Sequence, residues 1–360
     1  MGKRELDERL KKLFDEKKKV YSISKLNCID QCLYQAYCTY ILKDRGLNNC
    51  YGVMGSKIHD VLESIINNEA TENELTPALE AELNDLDMLG IEFPNEIIKA
   101  SWVNDMTHLC NNFIKPKGKF TTEELVIYKI NDDRYVQGYL DLIQHNKDGS
   151  ISIWDWKTSS QFSKEDLIHH GRQLVFYALA KEQDGEKVKN VGWIMLKYCQ
   201  IEFMGKARNN SKNETLITKI CNRGKIVKEL KSYLENDLYK LGYDEVDIEI
   251  MINEALNTNS LNSLPQEIQS KYIIKPYVRQ YEITDEIKQE TLNYINTTAD
   301  LFESKSKDKN EWTFRKMKND KGKEDTFFCN VLCSHRKTCP EIKKYNEMKL
   351  LLQSSDEELF

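Results

Sequence analysis

The sequence predicts an α/β (α+β) protein: a mixed central sheet flanked by helices, with further helical segments at both ends. Two observations carry this. Apolar residues recur at helical spacing through the first third of the chain, and from Glu124 the pattern changes to short runs rich in β-branched and aromatic residues. A third observation completes the alternation: helical spacing returns near Ser163 and is followed by a further strand-like run from Val191 to Phe203.

Taken in order, residues 2–19 read as a charged helix, and Tyr34, Tyr37, Tyr40 and Ile41 give the next stretch a helical apolar face. Ile58, Val61, Leu62, Ile65 and Ile66 mark a third helix. Two more are expected around Ala78–Leu89 and Asn95–Phe113, separated by Gly90 and Pro94. Leu125–Ile130, Tyr135–Gln144 and Ser150–Lys157 read as strands, with Asp148-Gly149 as the hairpin turn because glycine accepts the positive φ such turns need. The Ser163 hydroxyl, with Asp166 three residues on, is expected to cap a helix running to about Ala180. Past Lys206 the chain reads as basic and helical, with an Asn/Ser-rich stretch at 253–262. The region from Thr284 to Phe360 reads as a helix, a cysteine-containing segment and an acidic tail.

Composition narrows the classes. Hydrophobic residues make up 40% and charged residues 31% of the 360, and no apolar run reaches the roughly 18 residues needed to cross a bilayer. No membrane partner is expected. The charged N-terminus lacks the apolar stretch of a secretory signal, so a reducing cytoplasm is the expected compartment and its ten cysteines are expected as thiols or metal ligands. With a net charge of -6, attraction to a polyanion must come from local basic patches. Gly205–Lys231 and Ser304–Lys323 each carry eight Lys or Arg. No phosphate-binding GxxxxGK[ST] loop is present, which argues against a built-in helicase motor.

Chemistry concentrates in four pieces. Side chains alternate along a strand, so Asp155 and Lys157 project from one face, with Trp156 opposite. Asp141 lies on the partner strand of the hairpin, and two carboxylates brought together need a cation; hard oxygen ligands select Mg²⁺ or Mn²⁺. Such an ion would activate a water while Lys157 orients it or stabilises the transition state. His59 sits at the edge of an apolar helical stripe, where histidines are usually packing residues, yet a neutral imidazole also suits Mn²⁺. Gln173 and Tyr177 are one helical turn apart and share a face.

The order Gly55-x-x-x-His59, Gly138-Tyr139-Leu140-Asp141, Asp155-Trp156-Lys157, Gln173-x-x-x-Tyr177 resembles the RecB-like branch of the PD-(D/E)xK nuclease superfamily. The match spans roughly residues 50–200. The resemblance implies a restriction-endonuclease-like core in which His59, Asp141, Asp155 and the Trp156 carbonyl bind the metal and Lys157 is catalytic. Gln173 and Tyr177 would position DNA, and Glu124 stands where the family often carries an earlier glutamate.

Cys329-x3-Cys333-x5-Cys339 gathers three thiols within eleven residues, and thiolates suit Zn²⁺, with His335 as an alternative ligand. Ser22-Ile23-Ser24-x-Leu26 followed by Cys32 resembles the leading segment of iron–sulfur members of the same family. There one cysteine precedes the nuclease core and three follow it, which implies a [4Fe–4S] cluster on Cys32, Cys329, Cys333 and Cys339. The family spacing begins Cys-x-x-Cys, whereas this chain has Cys-x3-Cys, and Cys28 and Cys38 flank Cys32 as substitutes. Joining residue 32 to 329 closes a loop whose entropy is about 5 kcal/mol, so a cluster would act as a clasp. The expected organisation is an N-terminal helical segment (1–50), a nuclease core (51–205, with a helical insertion at about 70–118), a basic helical region (206–290) and a C-terminal helix, cysteine cluster and tail (291–360). The expected activity is a DNA exonuclease acting on single-stranded ends in recombination, repair or CRISPR-like processing, with a helicase or recombination protein as partner. A structure-specific endonuclease and a non-catalytic DNA-binding scaffold are the alternatives.

Overall fold

The computed structural model describes residues 6–206, 214–319 and 321–357. The chain opens with α1 (Glu8–Asp15), β1 (Lys19–Ser22), α2 (Ile23–Gln31) and α3 (Leu33–Ala36), then a π-helical turn at Tyr37–Ile41. α4 (Cys50–Ile66), α5 (Leu75–Met88) and α6 (Glu96–Asn112) follow, then β2 (Lys119–Lys129), β3 (Arg134–His145), β4 (Ile151–Lys157), α7 (Lys164–Gln183), β5 (Val188–Gly205) and β6 (Thr215–Asn222). α8 (Ile226–Lys240), α9 (Glu245–Thr258), α10 (Gln266–Lys271), β7 (Ile273–Tyr281), α11 (Asp285–Ser304), a π-helical turn at Phe328–Leu332 and α12 (Pro340–Glu357) complete it.

Helix starts follow their caps. The side chains of Asn49, Asn95, Ser163 and Thr284 each accept a backbone N–H of the first turn, satisfying donors that the helix leaves unpaired. Gly149 turns the β3–β4 hairpin at φ 81°.

The strands form one mixed seven-stranded sheet in the order β1-β3-β4-β5-β6, with β2 also on β3 and β7 also on β5. β1 runs parallel to β3 and β4 parallel to β5, while β2–β3, β3–β4, β5–β6 and β5–β7 are antiparallel. One face buries Val136, Leu140, Ile153 and Trp193 against Phe176 and Tyr177 of α7, Leu26 of α2 and Ile295 of α11. On the other, Leu142, Trp156 and Leu196 pack on α4, α5 and α6 through Ile58, Leu62, Leu79 and Leu109. Farther along β5, Ile201 and Phe203 pack on α8, α9 and α10.

Two readings need correction. The first helix stops at Asp15, Lys17 takes φ 58°, and Lys19–Ser22 is a strand, because pairing with β3 satisfies its backbone. The region past Lys206 contributes β6 and β7 to the sheet besides helices, both paired with the 18-residue β5. Thr215, Thr218 and Lys219 in β6 and Lys275 and Pro276 in β7 interrupt the apolar pattern of these two strands, which flank β5 with largely exposed side chains. Arg208 and Lys212 of the first basic patch, Asp320 of the second and residues 358–360 of the acidic tail lie outside the described residues.

Candidate active site

β3, β4, α4 and α7 bring the predicted catalytic residues together. The hairpin register pairs Leu142 with Trp154, so the next step along each strand sets Asp141 level with Asp155. Asp141 Oδ2 accepts the Trp156 backbone N–H at 3.0 Å and lies 3.5 Å from Nδ1 of His59. The His59 ring meets the Trp156 indole edge-on, with centroids 5.7 Å apart. Lys157 Nζ lies 2.5 Å from Asp155 Oδ2. This oxygen is shut off from water, and the Lys157 ammonium is the charged group against it.

Two glycines of the motif make room for this arrangement. A Cβ at Gly55 would sit 3.2 Å from Thr158 Oγ1, so glycine lets α4 approach the end of β4. One at Gly138 would sit 2.8 Å from the Tyr177 ring and 3.0 Å from the Phe176 ring. The missing side chain lets α7 lie against β3, which carries Asp141 three residues on. On α7, Gln173 Nε2 donates to the Tyr177 hydroxyl at 2.8 Å, and that hydroxyl is buried near Asp155 and Asp141.

The electrostatics are those of a site that concentrates negative charge. Burial, and then Asp155, raises Asp141 above its ordinary range despite Lys157 and the Trp156 amide. Burial lowers the His59 pKa to about 4, so its ring is neutral at neutral pH and keeps a lone pair for a ligand. Burial alone would lower Lys157, but Asp155 and Asp141 outweigh it and hold the amine charged. Burial and the two aspartates raise the Tyr177 phenol, leaving it a protonated hydrogen-bonding group.

Among the described residues, no group of three or more His, Cys, Asp or Glu side chains is already converged to hold a metal ion. The donor chemistry nonetheless fits a hard divalent cation: two carboxylates, one of them with an oxygen sealed from water, and a neutral imidazole.

Glu124 is placed elsewhere. Its carboxylate accepts from Lys181 Nζ at 2.7 Å. The acid whose charge reaches Asp141 and Tyr177 is Glu123, which sequence reasoning passed over. It lies between the pairs Thr122↔Leu142 and Glu124↔Leu140 and has φ 51°, a local irregularity that no strand pattern signals. His170 was also missed. It stacks on Phe162 at 3.9 Å, and its pKa is lowered by burial and then Lys157; its place three residues before Gln173 was the available signal.

Among the described residues, the cysteines of the expected cluster come near one another without forming a metal-holding group. Cys32, Cys329, Cys333 and Cys339 line one small cavity with His335. Burial, then the neighbouring cysteines, pushes Cys329 up to about 12; burial pushes Cys333 to about 11. Cys28 lies close enough to feel Cys32 and Cys333, and Cys38 to feel Cys339, but neither lines the cavity. Direct bonds already join the two ends of the chain here. Leu47 N donates to Ser334 O at 2.7 Å, Arg336 Nη2 to Asn48 O at 2.6 Å, and Asn49 Nδ2 to Leu332 O at 3.0 Å.

The family model of the PD-(D/E)XK nuclease superfamily matches residues 20–340, which includes every residue of this site. The chain belongs to the PD-(D/E)XK nuclease superfamily. Membership implies a nuclease with nucleic acid as its substrate, and nucleases of this superfamily usually use Mg²⁺ or Mn²⁺. A solved structure of SSO0001 is 16% identical over 70% of this chain and 84% of that one, at a TM-score of 0.24, too slight a likeness to bear on the fold. No curated protein is similar enough to count as a relative. Among the described residues, no helix of this nuclease is long and apolar enough to cross a membrane.

Proposed function

We propose that this nuclease is a RecB-like, Mg²⁺- or Mn²⁺-dependent DNA exonuclease that works at single-stranded ends in recombination, repair or CRISPR-like DNA processing. The observation that carries the reading is the cluster of Asp141, Asp155, Lys157 and neutral His59 at the open end of the β3–β4 hairpin. His59, Asp141, Asp155 and the Trp156 carbonyl would hold the cation. When bound, such an ion supplies Lewis acidity toward the scissile phosphate and lowers the pKa of a coordinated water. Lys157, kept protonated by its two aspartates, neutralises charge developing on the phosphoryl oxygens. Gln173 and Tyr177, held to each other, orient the strand through its phosphates.

End-labelled single and double strands incubated with Mg²⁺, Mn²⁺ or EDTA test this directly. Stepwise shortening of single strands that EDTA abolishes is expected, while rapid cutting of closed circular single-stranded DNA would overturn the exonuclease assignment.

The cysteine cavity supports a second part of the proposal, a [4Fe–4S] cluster on Cys32, Cys329, Cys333 and Cys339 that clasps the two ends of the chain and takes no part in hydrolysis. Anaerobically purified protein should be brown and contain iron and acid-labile sulfide. A colourless protein containing zinc would assign the four thiols to Zn²⁺ instead.

A further inference from the structure

On the second face of the sheet, a large cleft separates the α4–α6 helices from the α8–α10 helices. Its walls carry Trp154, Phe120 and Tyr272, and Arg223 and His108 line it too. Alternation along β4 puts Trp154 on the side of the strand away from Asp155 and Lys157, so the cleft is not the catalytic centre.

Arg223 is the informative residue. The sequence places it in a basic patch, but it is only 6% exposed. Its Nε donates to Leu196 O at 2.7 Å, and its terminal nitrogens have no hydrogen-bond or ion-pair partner among the described residues. Asp105, whose field reaches it, is already engaged: Oδ1 accepts from Gly224 N at 2.9 Å and Oδ2 from Asn222 Nδ2 at 2.7 Å. His108 Nδ1 is likewise buried without a partner. Burying a guanidinium without a counter-charge is costly, and an anion in the cleft would remove that cost through a planar, bidentate contact. Around it the lining is aromatic. The Trp154 indole N–H is satisfied by Gln144 Oε1 at 2.9 Å, which leaves its ring face as the part available to a ligand. An anionic group joined to a flat heterocycle matches both features.

We propose that this cleft binds one phosphorylated nucleotide unit, with its phosphate at Arg223 and its base against Trp154 and Phe120. The site is separate from the metal centre and does not depend on the exonuclease reading. Its occupant is either the phosphorylated end of a single strand or a free mononucleotide, which share this chemistry.

The test is calorimetric titration of the whole protein in EDTA, where no cleavage occurs, with dTMP, thymidine, inorganic phosphate and 5′-phosphorylated oligo-dT. The proposal expects dTMP or the phosphorylated strand to bind about tenfold or more tightly than thymidine, and Arg223→Met and Trp154→Leu each to weaken that binding by about tenfold. Lys12→Ala, on α1 and outside the cleft, should leave it unchanged. Strand binding that free dTMP displaces identifies the mononucleotide as sufficient; strand binding without dTMP binding identifies a strand end. Circular dichroism and thermal melting establish that each variant is folded. If Arg223→Met does not fold, the exposed rim substitution Lys117→Glu should give the same direction of loss. Thymidine binding as tightly as the phosphorylated probes, no binding of either phosphorylated probe, wild-type affinity in a folded Arg223→Met, or loss of binding in a folded Lys12→Ala would each overturn it.

Discussion

Gly138→Ala tests how the α7–β3 contact supports the site. The added methyl would meet Tyr177 Cε1 at 2.8 Å, Phe176 Cε1 at 3.0 Å and Ile23 Cγ2 at 3.5 Å. The two ring atoms belong to side chains that are 3% and 0% exposed, so neither can swing into solvent, and relief requires moving α7 off the sheet. Overpacking of this kind costs about 1–3 kcal/mol, and replacing a strand glycine by alanine returns about 0.5–1 kcal/mol of backbone entropy. The net is a loss of about 1–2 kcal/mol, a fall in Tm of about 1–3 °C in a chain of this size. Because the displaced ring is Tyr177, cleavage should fall in the folded variant as well. The internal control is Gly52→Ala in α4, whose Cβ meets only Asn49 at 3.6 Å or beyond and which should be neutral or stabilising. Melting curves and initial cleavage rates for both variants provide the measurement. A Gly138→Ala protein with the Tm and rate of the parent would refute the claim that this close approach positions the site.

The remaining predictions concern charge. Asp141 is raised by burial and then by Asp155, so its contribution to stability is fully present below its unfolded pKa and is lost as pH rises through the higher folded value. In EDTA, Tm should therefore decline as pH climbs above the ordinary carboxylate value of 3.8, and Asp141→Asn should flatten that decline; an equally steep profile in Asp141→Asn would reject the assignment. Lys157→Ala leaves the Asp155 carboxylate buried without its cation and should cost about 3–5 kcal/mol in denaturant unfolding together with about 10²–10³-fold in cleavage rate. Adding Asp155→Asn to Lys157→Met should recover stability but not activity, and a double variant that still cleaves DNA would place the chemistry elsewhere.

Much of the framework was legible because it is local. Asn95, Ser163 and Thr284 announce helices through the hydrogen bonds their own side chains make, and Asp148-Gly149 announces the hairpin through the φ that glycine permits. Alternation along β4 places Asp155 with Lys157, and the hairpin brings Asp141 to them, so the site's order and spacing could be read without coordinates. Superfamily membership bears out the expectation of a PD-(D/E)XK nuclease. Strand β1 is only four residues long and the two strands flanking β5 are broken by charged residues and Pro276, so each was hidden until a neighbour supplied the ladder.

The sequence by itself determined helix starts, the hairpin and the type and spacing of the acidic, basic and imidazole groups, because each depends on residues a few positions apart. Only the tertiary structure decided that Glu124 turns to Lys181 while the charge of Glu123 reaches Asp141. It also decided that four cysteines from opposite ends of the chain line one cavity, and that Arg223 is buried with no counter-ion among the described residues. Those outcomes depend on which distant surfaces exclude water from a given side chain, and burial and pairing belong to the packed whole.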